Sequence, residues 1–122
     1  MAKYRISQKA IADLGGIWKY TAETWSEEQA DRYYVTLQST IQQLSNLPNI
    51  LVRKYDSVKN GLLGYRIGHH IIFYTKQADG SVWIDRILHE KMDFQRQFFV
   101  PAGSVSKYIE TWPKYASRIF SQ

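Results

Sequence analysis

The chain has no cysteine. Disulfides, thiolate metal sites and cysteine nucleophiles are excluded together, and the composition suits a reducing compartment, so a cytoplasmic location is expected. No apolar run approaches the roughly 18 residues of a membrane-crossing helix, so no membrane span is expected. The opening Met1-Ala2-Lys3 leads into strand-like residues and not into the apolar stretch of a signal peptide. Chemical signatures are also missing. No G-K-[ST] phosphate loop, no H-x-x-x-H pair and no G-x-S-x-G elbow is present. Neither a resident metal nor a cofactor is expected.

What is present is enough for one ordinary domain. The 122 residues are 44% hydrophobic and 22% charged, which excludes a disordered tail and permits a real core. Sixteen basic against eleven acidic side chains leave a net charge of +5. The excess is local. Residues 1–50 balance, whereas residues 51–76 carry Arg53, Lys54, Lys59, Arg66 and Lys76 against Asp56 alone. A solvated basic face and a docking surface for an anionic partner both fit this distribution.

Hydrophobic periodicity sets the elements. Residues 3–6 alternate as a short strand, and Ser7 stands as a helix N-cap. Ile11, Leu14, Trp18, Ala22 and Trp25 then recur at 3, 4, 4 and 3, one face of a helix, which puts both tryptophans in the core. Gly15-Gly16 either brings that helix close to a neighbour or loosens it. Ser26-Glu27-Glu28-Gln29 has capping-box spacing with acids in the first turn. Ala30, Tyr34, Leu37, Ile41 and Leu44 continue at 4, 3, 4 and 3 until Pro48, which makes an α-hairpin.

Residues 49–62 read as a connector. The period then changes to 2. Tyr65–Ile67 and Ile71–Thr75 are strand-like around Gly68-His69-His70, a turn or bulge. Asp79-Gly80 signals a hairpin before Val82–Leu88, with Val82, Ile84 and Leu88 expected on one side and Trp83 and Ile87 on the other. The fold class is therefore α+β: an N-terminal strand, then an α-hairpin packed on one face of an antiparallel sheet. Residues 1–99 form the main domain. Pro101–Ser104 is a linker, and Tyr108, Trp112, Tyr115 and Ile119 recur at 4, 3 and 4 beyond it. Residues 100–122 thus read as a short helical extension packed on the same domain.

Chemistry-bearing residues gather late in the strands. Arg66, His70, His89, Glu90, Lys91 and Asp93 offer a base, cations and an acid for cutting RNA at a 2′-hydroxyl. Equally, Arg66 can pair with Asp85 or Asp93, leaving His89 to cap the sheet.

Several segments in order resemble a known family. They are Tyr4-Arg5-Ile6-Ser7, Ala12-Asp13-Leu14, Ile17-Trp18-Lys19-Tyr20, Trp25–Tyr33, Tyr65–Tyr74 and Ile87–Asp93. Together they resemble a ParE toxin of the RelE/ParE toxin–antitoxin superfamily over roughly residues 3–98. The resemblance implies a RelE/ParE-like fold and a toxin that poisons DNA gyrase without being an enzyme. It implies neutralisation by a ParD-like antitoxin in a joint oligomer, with no direct nucleic-acid binding. The RelE branch cleaves mRNA on the ribosome with basic residues and a C-terminal aromatic hydroxyl. Here Gln97-Phe98-Phe99 stand near that position, and a phenylalanine cannot exchange a proton. Were the chain a nuclease, His89, Lys91 and Arg66 would be its catalytic candidates. As a binding protein, its target- or antitoxin-binding surface is expected on Arg66, His70, His89, Lys91, Met92 and Phe98.

Overall fold

The computed structural model describes residues 3–98. In chain order these form β1 (Tyr4–Ile6), α1 (Gln8–Thr24), α2 (Glu27–Gln43), β2 (Arg53–Lys54), β3 (Leu63–Ile67), β4 (His70–Lys76), β5 (Val82–His89) and α3 (Phe94–Phe98). A 3₁₀ turn, Leu44–Asn46, ends α2, and a second, Asn49–Leu51, lies in the connector with β2. The extension expected over residues 100–122 lies outside the described residues.

Helix starts fall where the sequence puts them. The Ser7 hydroxyl oxygen accepts from Ala10 N–H at 3.0 Å, and Ser26 does the same for Gln29. Both satisfy a donor that the first helical turn leaves unpaired. Ser7 also donates its hydroxyl to the Asp85 carbonyl at 2.7 Å, so one residue ends β1, starts α1 and fastens both to β5. Trp18 donates its indole N–H to Asp31 at 2.9 Å, clamping α1 to α2. α1 runs unbroken through Gly15-Gly16.

The sheet order is β1-β5-β4-β3-β2. The meander β3–β5 is antiparallel as expected, and β2, inside the expected connector, adds a short antiparallel edge strand to it. β1 joins it in parallel beside β5, which makes the sheet mixed. A parallel neighbour needs a long crossover, and the intervening α-hairpin begins one. That hairpin lies on one face over the main core: Leu14, Trp18, Tyr34, Leu37, Ile41, Ile72, Tyr74 and Ile84 among others. The other face carries a smaller cluster, Leu62, Ile71, Phe73 and Leu88, covered by Tyr55, Val58, Phe94 and Phe98.

Two positions depart from the periodicity. Trp25 is 68% exposed and not in the core. It caps the C-terminus of α1 with φ −122° and ψ −81°, so the helical stripe no longer directs its side chain. On β5, Ile87 joins the helix-side core with Val82 and Ile84, whereas Leu88 faces the other way. The cause is a bulge: Phe73 pairs with Arg86 and Tyr74 with Ile84, so Asp85 is an extra residue that inverts the alternation after it.

Past Ile6, β5 loses its parallel neighbour and its edge would be bare. The Asp13 carboxylate of α1 fills the gap. It accepts from Ile87 N–H at 3.0 Å and from Arg86 Nε and Nη2 at 2.8 and 2.9 Å. Arg86 Nη1 donates to the Gln97 carbonyl of α3 at 2.6 Å. One buried guanidinium therefore joins a helix on each face of the sheet. Burial lifts the Asp13 carboxyl above its ordinary value, against the opposing pull of Arg86 and the Ile87 N–H. Such a pair fixes geometry more than it adds net stability, yet removing one partner is expensive. Asp13→Ala is expected to lower unfolding free energy in urea by about 3–5 kcal/mol, with Asp13→Leu/Arg86→Met restoring much of the loss. A single-variant loss below about 1 kcal/mol would contradict this role.

Candidate functional site

β3 and β4 meet in a two-residue loop, Gly68-His69, between Ile67 and His70. Gly68 sits at φ +57°, the first central position that a II′ hairpin turn gives to glycine. A Cβ there would also lie 2.9 Å from the Tyr33 hydroxyl, so glycine lets α2 approach the loop.

That approach builds the site. Tyr33 reaches from α2 to the Ile67 carbonyl at 3.2 Å and to His70 Nδ1 at 2.7 Å. Both bonds form together only if the hydroxyl donates to the carbonyl and His70 donates its Nδ1–H. Burial raises the Tyr33 pKa, keeping the hydroxyl neutral. His70 lies directly across from His89 on β5, with ring centroids 5.5 Å apart. His69 stacks on His89 at 6.0 Å. His89 Nδ1 accepts from Lys91 N–H at 3.2 Å, which places its own proton on Nε2.

Glu90 is the counter-charge. Its carboxylate takes Arg66 Nη2 at 2.8 Å and His69 Nδ1 at 2.6 Å, and its N–H donates to the His69 carbonyl. The His69 bond and, less strongly, Arg66 hold the Glu90 carboxyl below its ordinary range. The structure thus pairs Arg66 with Glu90 and not with Asp85 or Asp93. Asp85 instead pairs with Lys59 at 2.8 Å.

Of the six residues expected on a binding surface, five gather at this end of the sheet. Arg66 projects from the face opposite the helices, His70 and His89 from the helix face, and Lys91 and Met92 follow β5. Met92 is 45% exposed, and Lys91 has no ion-pair partner among the described residues. Phe98 does not belong with them. Its ring packs on Phe73 at 5.5 Å, because α3 folds back over the smaller cluster. Tyr33 escaped sequence reading; the signal was a second tyrosine directly beside Tyr34, just off the buried stripe. Among the described residues, no three His, Asp or Glu side chains are grouped to hold a metal ion. No helix among them is long and apolar enough to cross a membrane.

An α-hairpin laid on a five-stranded sheet, with an imidazole-rich end, defines a small α+β protein. The sequence comparisons narrow the class. Residues 4–94 match the family model described as "ParE toxin of type II toxin-antitoxin system, parDE". The toxin ParE1 of Mycobacterium tuberculosis is 33% identical over 95 residues, which are 78% of this chain and 96% of that protein. ParE1 of Caulobacter vibrioides is 34% identical over 93 residues, 76% of this chain and 94% of that one. Toxin ParE of Escherichia coli is 31% identical over 93 residues, 76% and 89% of the two chains. The chain belongs to the ParE toxin family of type II toxin–antitoxin systems.

Burial, then repulsion from His89 and His69, pushes the His70 pKa from 6.5 down to about 4, with Glu90 opposing. The neutral ring is the folded form, while the unfolded chain takes up a proton below pH 6.5. His70 thus costs the fold stability progressively between pH 6.5 and 4, and no further below that. His70→Asn is expected to flatten this part of the stability–pH curve, read as urea midpoints at pH 7, 6 and 5. An unchanged slope would overturn the assignment.

Proposed function

We propose that this toxin acts by binding DNA gyrase and stalling replication, and that a ParD-like antitoxin neutralises it. The action is recognition and not bond cleavage. The observation that carries the reading is the match to ParE toxins across residues 4–94, whose family description names the parDE pair. Side-chain chemistry agrees with it. Arg66, one of three candidate nuclease residues, is committed to Glu90, and no aromatic hydroxyl stands at Gln97-Phe98. The target-facing surface is assigned to Arg66, His89, Lys91 and Met92, with His70 behind them. Exposed apolar area beside charge is the usual make-up of such a contact.

A second reading keeps one specific support: three imidazoles, Lys91 and Tyr33 at one sheet end are the raw material of an acid–base ribonuclease. Purified toxin with gyrase and plasmid, run beside toxin in a translation extract, separates the two. Lost supercoiling with intact message supports the first reading; cut message with normal supercoiling replaces it with the second. Lys91→Ala/Met92→Ala, which leaves both core clusters untouched, is expected to reduce growth inhibition at least tenfold. Unchanged inhibition would remove the surface from that end.

The antitoxin is assigned an acidic segment. Arg53 and Lys54 are both exposed on β2, an edge strand, whereas Lys59 and Arg66 have carboxylate partners. Steering by those charges makes association slower as salt rises. Stopped-flow mixing at low and high salt checks this, and a flat rate would refute it.

A further inference from the structure

β2 is an outer strand of the sheet, and its register with β3 fixes what it shows to the outside. Arg53 lies opposite Gly64 and Lys54 opposite Leu63. One residue on, Tyr55 donates its N–H to the Leu62 carbonyl at 2.8 Å. The hydrogen-bonded pairs of this antiparallel ladder are therefore Arg53 with Gly64 and Tyr55 with Leu62. Lys54, between them, turns its N–H and C=O away from β3. Among the described residues no backbone group answers either one. The side chains alternate between faces in the same way. Arg53 points to the face opposite the α-hairpin, where its guanidinium lies 5.4 Å from the centre of the Tyr55 ring. Tyr55 in turn lies across Gly64, where a Cβ would meet the ring at 2.6 Å. Lys54 points to the hairpin face with Leu63. The free border thus shows one exposed cation on each face.

An apolar pair leads into this border. The 3₁₀ turn Asn49–Leu51 leaves Ile50 91% and Leu51 55% exposed, and Ile50 is the most exposed large apolar side chain among the described residues. The next residue, Val52, packs against the helix-side core. Its N–H donates to the Asn49 carbonyl at 3.1 Å, which fixes the turn relative to β2. Apolar side chains left in water beside unpaired strand groups make a surface that an added strand covers. Charge chooses the occupant. A second copy of β2 would bring the same two cations up against Arg53 and Lys54. A strand with two consecutive acids meets both, because its adjacent side chains also point to opposite faces.

We propose that the antitoxin's acidic segment joins the sheet as a further strand along β2. Its backbone bonds to the Lys54 N–H and C=O. Two neighbouring acidic side chains take Lys54 on the hairpin face and Arg53 on the other, and an apolar residue covers Ile50 and Leu51. The inference rests on the antitoxin reading above and adds to it the place and the mode of contact.

The test is amide hydrogen exchange on the full chain, alone and in complex with its cognate antitoxin. The Lys54 N–H is expected to exchange freely in the toxin alone and about tenfold or more slower in the complex. A complex in which Lys54 still exchanges freely overturns the inference and leaves the antitoxin reading standing. Failure of any complex to form removes both. Protection of Lys54 in the toxin alone, rising with its concentration, would make a second copy the occupant and also overturns it. Variants give an independent reading through the dissociation constant. Lys54→Ala removes the charge and keeps the N–H. Lys54→Pro removes the N–H as well, and because that N–H faces outward the β2–β3 ladder keeps its bonds. Lys54→Pro is expected to weaken antitoxin binding about tenfold beyond Lys54→Ala. Equal losses would show that the border offers charge without backbone pairing, against the proposal. The exchange measurement needs no substitution, so it decides the matter even where a variant fails to fold.

Discussion

The architecture turns on one carboxylate. Asp13 stands where β1 has run out and β5 has not, and it answers three donors that would otherwise face a bare edge. Through Arg86 the same contact passes round the sheet to α3. Two layers on opposite faces are thus referenced to one strand. Most of the driving force is apolar burial, which is non-directional. The ion pair supplies what burial lacks, a fixed position of α1 along β5. Ser7, six residues earlier, sets that position again through its bond to the Asp85 carbonyl.

The candidate site inherits this rigidity. α1 is placed by β5, α2 is placed by α1 through Trp18 and Asp31, and Tyr33 on α2 then holds His70. The chain of contacts returns to β5 at His89. A cluster of imidazoles set on loops alone would repel and spread. Here a tyrosine, a glutamate and two backbone N–H groups keep them within 6.0 Å of His89. Glu90 is central, because it offsets Arg66 and His69 while leaving Lys91 as a cation beside exposed Met92.

Much of this was legible in the residue order, for physical reasons. Period 3.6 marked both helices, Ser7 and Ser26 marked their starts, and period 2 with Asp79-Gly80 marked the central hairpin. Three features were not legible. The bulge at Asp85 inverted the faces of Ile87 and Leu88, and a pattern of period 2 holds no record of an inserted residue. Trp25 fell on the projected stripe, but as the C-cap its backbone leaves helical dihedrals although its N–H still donates to the Thr21 carbonyl. The parallel placement of β1 depends on long-range packing, which three alternating residues cannot specify. Arg66, His70, His89, Lys91 and Met92 were singled out for their chemistry, and the fold brings these five to one end of the sheet. Tyr33 and the Arg66–Glu90 pairing came from folding, and Phe98 moved to the core cover because α3 turns back over Phe73.

Both borders of the sheet are short and cationic. β1 has three residues with Arg5 exposed, and β2 has two, Arg53 and Lys54. Two molecules aligned border to border would set like charges against each other over too few ladder bonds to compensate. Edge-to-edge stacking of copies is therefore disfavoured along β1 and β2, the two outer strands of the sheet.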